Sequence, residues 1–173
     1  MKLNIGCTSL RPGSQYAGPE WVNLDLHAHA RKVVRGDVRK LPFKYGAFEE
    51  VHLIHTLEHL GRWDTRKALV ETYRVLAKQG NLYVEVPDWV QGCKLAYEAY
   101  ERGDLGRVHD WNTGMYGKQR FVGDSHQSGF WPEKLAKLLH DAGYTQLLMY
   151  EDAEDMISRH YKVEPVILMR GTK

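Results

Sequence analysis

The stretch Val33–Leu60, VVRGDVRKLPFKYGAFEEVHLIHTLEHL, decides the fold. It contains two strand-like runs, Val33–Arg35 and Val51–Ile54, and each ends in a polar segment. Asp37 follows the first run, and His55, Glu58 and His59 follow the second. Ligands of an open α/β sheet bind in the crevice beyond the carboxyl ends of the strands. The stretch therefore reads as half of a ligand pocket.

Toward the N-terminus, Lys2–Ile5 alternates in polarity and meets Gly6, which predicts a strand. Trp21–Asp25 is the next strand, and Lys32–Arg35 the third. Pro12, Gly13, Gly18 and Pro19 interrupt the first connection, so a loop or a short helical turn is expected there. Toward the C-terminus, Asp64 or Thr65 can cap a helix running to about Ala77, with Leu69, Tyr73 and Leu76 facing a core. Asn81–Val86 is a fifth strand, and Lys94–Arg102 a helix stopped by Gly103. Asp104–Trp131 holds five glycines and no clear period, and reads as a long lid or binding loop. Pro132 suits a first helical position, Leu135, Leu138, Leu139 and Ala142 form one face, and Gly143 ends the helix. Thr145–Met149 and Val166–Arg170 have no helical pattern between them, which predicts an antiparallel pair. Strands alternating with helices imply an α/β fold with a mostly parallel sheet. The strands number seven, and residues 1–173 are expected to form a single domain.

The charge balance, 24 Lys and Arg against 22 Asp and Glu, makes no case for nucleic acid or an anionic membrane surface. Arg31, Lys32, Arg35, Arg39 and Lys40 cluster in sequence, but strand alternation would divide them between faces. Cys7 and Cys93 form no CxxC pair, which suits a reduced, cytoplasmic chain and leaves a single disulfide open. There is no signal-peptide pattern and no apolar run of spanning length. The segment His55–His59, HTLEH, fits the H-x-x-E-H zinc-peptidase pattern. That motif needs both imidazoles on one helical face, whereas His55 directly follows the strand-like VHLI. The two rings should diverge, and no metal set is expected from them.

The order LNIGC (Leu3–Cys7), WVNLDL (Trp21–Leu26), GDVRKLPF (Gly36–Phe43), FEEVHLIHTLEHL (Phe48–Leu60), ETYRVLAKQGNLYVEVPD (Glu71–Asp88) and LLHDAGY (Leu138–Tyr144) resembles the class I S-adenosylmethionine-dependent methyltransferases, in their small LEH-signature branch. The resemblance covers nearly the whole chain. It implies a Rossmann-like, three-layer α/β/α fold with an antiparallel C-terminal strand, and S-adenosyl-L-methionine as cofactor. It also implies a cofactor pocket formed by Gly6, Asp25, Asp37, Val38 and His55. Asp25, an acid ending the second strand, can accept both ribose hydroxyls, as acids do in dinucleotide folds. Asp37 and the Val38 amide resemble the pair that meets the adenine, although Asp37 is equally suited to an Asx-turn after Gly36. His55 would line the pocket near the sulfonium.

Methyl transfer is an in-line displacement, so alignment carries much of the rate, and a base is needed only where the acceptor must lose a proton. His59, His126 and Glu58 are the candidates, with His59 favoured as base. Glu58 alternatively caps the next helix. Aromatic residues crowd the segment after strand five, among them Trp89, Trp111, Tyr116 and Phe121, while Phe130 and Trp131 are expected in the core. In the resembling family this region shapes the acceptor site. The expected reaction is methylation of an oxygen or nitrogen on a small-molecule or sugar-like acceptor.

The chain departs from the family pattern at Thr8, where a second glycine is usual, at Ala77–Gly80, where a Lys-Pro-Gly-Gly turn is usual, and at Glu49, where Asp is commoner. No helix that would cover the cofactor precedes Lys2. The missing cover implies a more open cofactor site. Thr8, the altered turn at Ala77–Gly80 and the missing helix also favour the alternative of a non-catalytic domain that binds cofactor or a protein partner.

Overall fold

The computed structural model describes residues 1–6, 14–28, 32–150 and 165–173. Cys7, Thr8 and Arg31 lie outside the described residues. In chain order the elements are β1 (Lys2–Ile5), β2 (Trp21–Asp25), β3 (Val33–Arg35), β4 (Phe48–Ile54), α1 (Arg62–Val75), β5 (Leu76–Pro87), α2 (Trp89–Glu101), α3 (Leu105–Tyr116), α4 (Pro132–Asp141), β6 (Thr145–Tyr150) and β7 (Val166–Thr172). Short 3-10 turns occur at Gln15–Ala17 and Leu57–His59.

The seven strands form one sheet in the order β3-β2-β1-β4-β5-β7-β6. β1 to β5 pair in parallel, and β7 runs antiparallel between β5 and β6. This is the mixed Rossmann-like sheet expected from the sequence, with its strand order switching direction between β1 and β4. Strand alternation divides the two faces. Leu3, Ile5, Leu24, Val51, Leu53, Leu82 and Val84 face a core completed by Ala68 and Leu69 of α1 and by Leu135 and Leu139 of α4. Intervening positions are polar. Asn4 Nδ2 donates to Asn23 Oδ1 at 2.9 Å, and the Tyr16 hydroxyl meets His52 Nδ1 at 3.0 Å. Among the described residues of the β1–β2 connection, the Gln15–Ala17 turn covers this polar face, capped by the Ser14 side chain.

The segment Asp104–Trp131 differs from its expected loop form. Its first half is the helix α3, which packs against α2. Asp104 caps it, accepting a hydrogen bond from the Arg107 amide at 3.0 Å. Gly106 and Gly114 hide this helix from a periodicity reading, and it buries no residue, so it carries no apolar stripe. Trp131 also departs from expectation. Phe130 is 1% exposed and belongs to the core, whereas Trp131 is 38% exposed and serves as the N-cap of α4. Pro132 in the first turn and Gly143 beyond the last fall where expected. No helix among the described residues is long and apolar enough to cross a membrane.

Candidate functional site

The carboxyl ends of β1, β2, β3 and β4 converge on a cavity of about 540 Å³. Gly6 leaves β1 with φ +84° and a backbone bond from its N–H to Leu24 O. A Cβ at this position would stand 2.1 Å from Thr56 Oγ1, so only glycine allows β1 and β4 to close here. Thr56 stitches the two strand ends by donating to Ile5 O at 3.0 Å. Asp25, buried at the tip of β2, accepts from the His27 amide at 2.7 Å. Gly36 N–H donates to Asp25 O and so joins the ends of β2 and β3.

Asp37 follows β3 in the Asx-turn allowed by its sequence, its Oδ1 accepting from the Arg39 amide at 2.9 Å. The Arg39 guanidinium also clamps this carboxylate, with Nε at 2.9 and 3.0 Å from its two oxygens, and reaches Asp64 at 2.7 Å. Those hydrogen bonds hold the Asp37 carboxyl below the usual carboxylate range. Gly6, Asp25, Asp37, Val38 and His55, from four separate places in the chain, all line the one cavity.

His55 follows β4 with φ +49°, an uncommon conformation for a non-glycine residue. Its ring lies between two buried carboxylates, with Nδ1 3.0 Å from Glu58 and Nε2 3.3 Å from Glu85. Burial alone would lower the His55 pKa, but hydrogen bonds to the two acids outweigh it and hold the value up at about 10. Burial likewise raises the Glu58 carboxyl, and the hydrogen bond and charge of His55 reverse that and leave it lowered. Glu58 is thus not a helix cap, because Gly61 takes that position for α1. The pattern H-x-x-E-H is not helical here either, since Leu57–His59 is a single 3-10 turn.

His59 and His126 come together from positions far apart in sequence. Their rings stand edge to face, with centroids 4.9 Å apart. His126 arrives because Gln127 and Ser128 donate backbone bonds to Glu58 O at 2.7 and 3.1 Å. Gly117, at φ +78°, lets the preceding loop pass, since a Cβ there would lie 2.4 Å from Asp124 O. His59 Nδ1 lies 3.3 Å from the Ser125 carbonyl. A carbonyl only accepts, so Nδ1 carries the proton and Nε2 the lone pair. A second cavity of about 600 Å³ opens on this side, bounded by Glu58, His59, His126 and residues of α3. It shares His55, His59, Arg120 and Asp124 with the first.

Several residues of the site escaped the sequence reading. Glu85 could have been found as an acid inside the apolar strand LYVEV, on the polar face with Tyr83. Arg120 and Asp124 pair at helical spacing, with Nε 2.9 Å from the carboxylate, yet lie in no helix. Nothing in the sequence signalled that they border both cavities.

Residues 3–84 match the family model described as a methyltransferase domain. A demethylmenaquinone methyltransferase of Thermus thermophilus is 31% identical over 139 residues, which cover 77% of this chain and 62% of that protein. The chain therefore spans under two thirds of this relative's length. Among solved structures, a S-adenosylmethionine-dependent methyltransferase from Methanosarcina mazei superposes with TM-score 0.64 at 16% identity, over 99% of this chain and 91% of that one. The 1,6-didemethyltoxoflavin-N1-methyltransferase of Burkholderia thailandensis, solved with S-adenosylhomocysteine and its substrate, gives TM-score 0.60 at 12% identity, over 99% and 70%. At these identities the structural likeness speaks for the fold. Matched domain, curated relative and strand order agree: residues 3–84 match a methyltransferase domain, and the chain as a whole is similar in fold to S-adenosylmethionine-dependent methyltransferases.

Proposed function

We propose that residues 1–173 form a single-domain enzyme that transfers the methyl group of S-adenosylmethionine to an oxygen or nitrogen of a small-molecule acceptor. The observation that carries this reading is the wall common to the two cavities, formed by His55, His59, Arg120 and Asp124. A donor in the first cavity and an acceptor in the second would meet there. S-adenosylmethionine supplies an electrophilic methyl group on a sulfonium sulfur. The residues present fit it. The Gly6 turn leaves open backbone where a side chain would intrude, and the cavity over the strand tips is of small-ligand size.

Asp25 receives the ribose hydroxyls, oriented by the His27 amide. Asp37 and Val38 border the adenine end, with the Asp37 carboxylate fixed by Arg39 and retaining lone pairs for a further donor. His55 is protonated between Glu58 and Glu85, so the three together carry one net negative charge. That charge favours a sulfonium nearby, and His55 acts as a positioning residue rather than a direct ligand. His59 and His126 form the acceptor-side catalytic pair, where the acceptor's proton must leave. The named acceptors of the relatives, demethylmenaquinone and 1,6-didemethyltoxoflavin, support a small-molecule acceptor here. The balanced charge and two cysteines support a cytoplasmic setting without nucleic acid as substrate.

Calorimetric titration of the Asp25→Ala variant with S-adenosylhomocysteine tests the pocket. Hydrogen bonds to a charged acceptor contribute about 1.5–3 kcal/mol, so affinity should fall at least about tenfold while the far-UV spectrum is retained. Unchanged affinity would remove Asp25 from the cofactor site. Absent binding by the wild-type protein would favour a domain that acts through a protein partner without methylating.

A further inference from the structure

Among the described residues, Glu58, His59 and His126 each present a ligand-type atom, and the three atoms lie within 4.8 Å of one another. We propose that they form a binding site for one divalent transition-metal cation of the zinc or manganese class, set in the wall of the acceptor cavity. The second observation is Glu58 Oε2. The side chain is 2% exposed, and this oxygen is buried without a hydrogen-bond partner, while Oε1 takes the bond to His55. A buried carboxylate oxygen left unpaired costs roughly 1–3 kcal/mol or more. A cation between Glu58 and the two imidazoles removes that cost.

The surroundings have the form that metal sites use. Ligating histidines donate their other ring N–H to a carbonyl or carboxylate, and ligating carboxylates are themselves hydrogen-bonded. His59 Nδ1 donates to Ser125 O, which leaves Nε2 as the ligand atom. Glu58 is held by His55, which Glu85 holds in turn. The backbone bonds from Gln127 and Ser128 to Glu58 O bind the His126 loop to the Leu57–His59 turn, so the three ligands share one rigid frame. Zinc ligands at about 2.0–2.2 Å from the metal stand roughly 3.3 Å apart, so the side chains need to close by up to about 1.5 Å. Two histidines and one carboxylate leave a fourth position open. All three residues border the acceptor cavity, so an acceptor that offers an oxygen or nitrogen lone pair would occupy that position, and with the cation bound His59 and His126 serve the acceptor as metal ligands in place of free bases. This set differs from the H-x-x-E-H reading, because His55 is turned to Glu58 and Glu85 and His126 takes its place. The acceptor part of the inference rests on the methyl-transfer reading, and the cation site itself does not.

The test uses the full chain, stripped with chelator and titrated with zinc or manganese chloride by calorimetry, with elemental analysis of the protein as purified. Cobalt(II) absorption reports the coordination sphere. The expected result is one equivalent of metal per chain, with affinity falling at least about tenfold in Glu58→Gln and in His126→Ala. His126 sits on a loop outside the core, so its variant keeps the test informative if Glu58→Gln fails to fold. Metal binding below a tenth of an equivalent overturns the proposal, as does binding that both variants leave unchanged. Titrating the same samples with S-adenosylhomocysteine separates the two readings. Cofactor binding without metal binding overturns only the cation site. Metal binding without cofactor binding upholds that site and counts against the methyl-transfer reading.

Discussion

Gly6→Ala perturbs the cavity over the strand tips where the ends of β1 and β4 meet. The added Cβ would lie 2.1 Å from Thr56 Oγ1 and 3.2 Å from Thr56 Cβ. Two costs follow. A side chain held at φ +84° is strained by about 1–2 kcal/mol. Thr56 must also rotate, which breaks its buried bond to Ile5 O and adds about 1 kcal/mol. A loss of about 2–3 kcal/mol lowers the melting temperature of a chain this size by roughly 5–10 °C. Urea unfolding of the four proteins in a double-mutant cycle with Thr56→Ala checks the origin of the loss. In the Thr56→Ala background no hydroxyl bond is left to break, while the backbone strain and the 3.2 Å approach to Cβ of residue 56 remain, so the Gly6→Ala penalty should shrink by about 1 kcal/mol. Additivity within about 0.5 kcal/mol would refute the reasoning, because it would mean that Gly6 and Thr56 do not meet.

Other perturbations test the remaining structure. Phe130→Ala should cost about 3–5 kcal/mol in urea unfolding, whereas Trp131→Ala should cost under about 1 kcal/mol, since only the first ring is enclosed. Equal losses would contradict the placement of these two neighbours. Asp104→Ala should destabilise α3 by about 1 kcal/mol, read as faster hydrogen exchange in residues 105–116 with α4 unaffected. Arg39→Gln should lower stability at pH 7 and by less at pH 3, below the unfolded carboxyl value of 3.8. The folded-state Asp37 carboxyl lies below its unfolded value near 3.8, so the pair contributes above that value and fades as pH falls through the folded one. Urea midpoints at the two pH values measure this, and an equal difference at both would show that Asp37 gains nothing from Arg39.

Elements with strong local signals were legible in the sequence. β1, β2 and β4 announce themselves by apolar runs, and α4 by Pro132, its leucine face and Gly143. The helix α3 was not legible, because it lies on α2 without burying a residue and its signal reduces to one capping aspartate. The cofactor side of the site was legible for the same reason as the strands. Asp25, Asp37 and His55 each follow a strand, and parallel strands bring their ends together. The acceptor side depends on tertiary bonds. His126 meets His59 only because two backbone amides beyond it reach Glu58 O, and no spacing within the chain encodes that contact.

The charges at the strand tips make sense only as part of a site. Glu58 and Glu85 are 1% and 0% exposed, and His55 joins them in an uncommon backbone conformation. Burying each charge costs several kcal/mol, and apolar replacements of buried ion pairs are often neutral or stabilising by 1–4 kcal/mol. Stability alone therefore gives no reason to set a histidine between two acids where β4 and β5 end. Position does, because His55 is shared by the two cavities, and Glu58 forms part of the wall of the second. Glu85 holds one side of the imidazole and Glu58 the other, which leaves Glu58 a single unpartnered oxygen. The network thus fixes the orientation of a buried carboxylate that has bonding capacity left, and it does so beside two histidines.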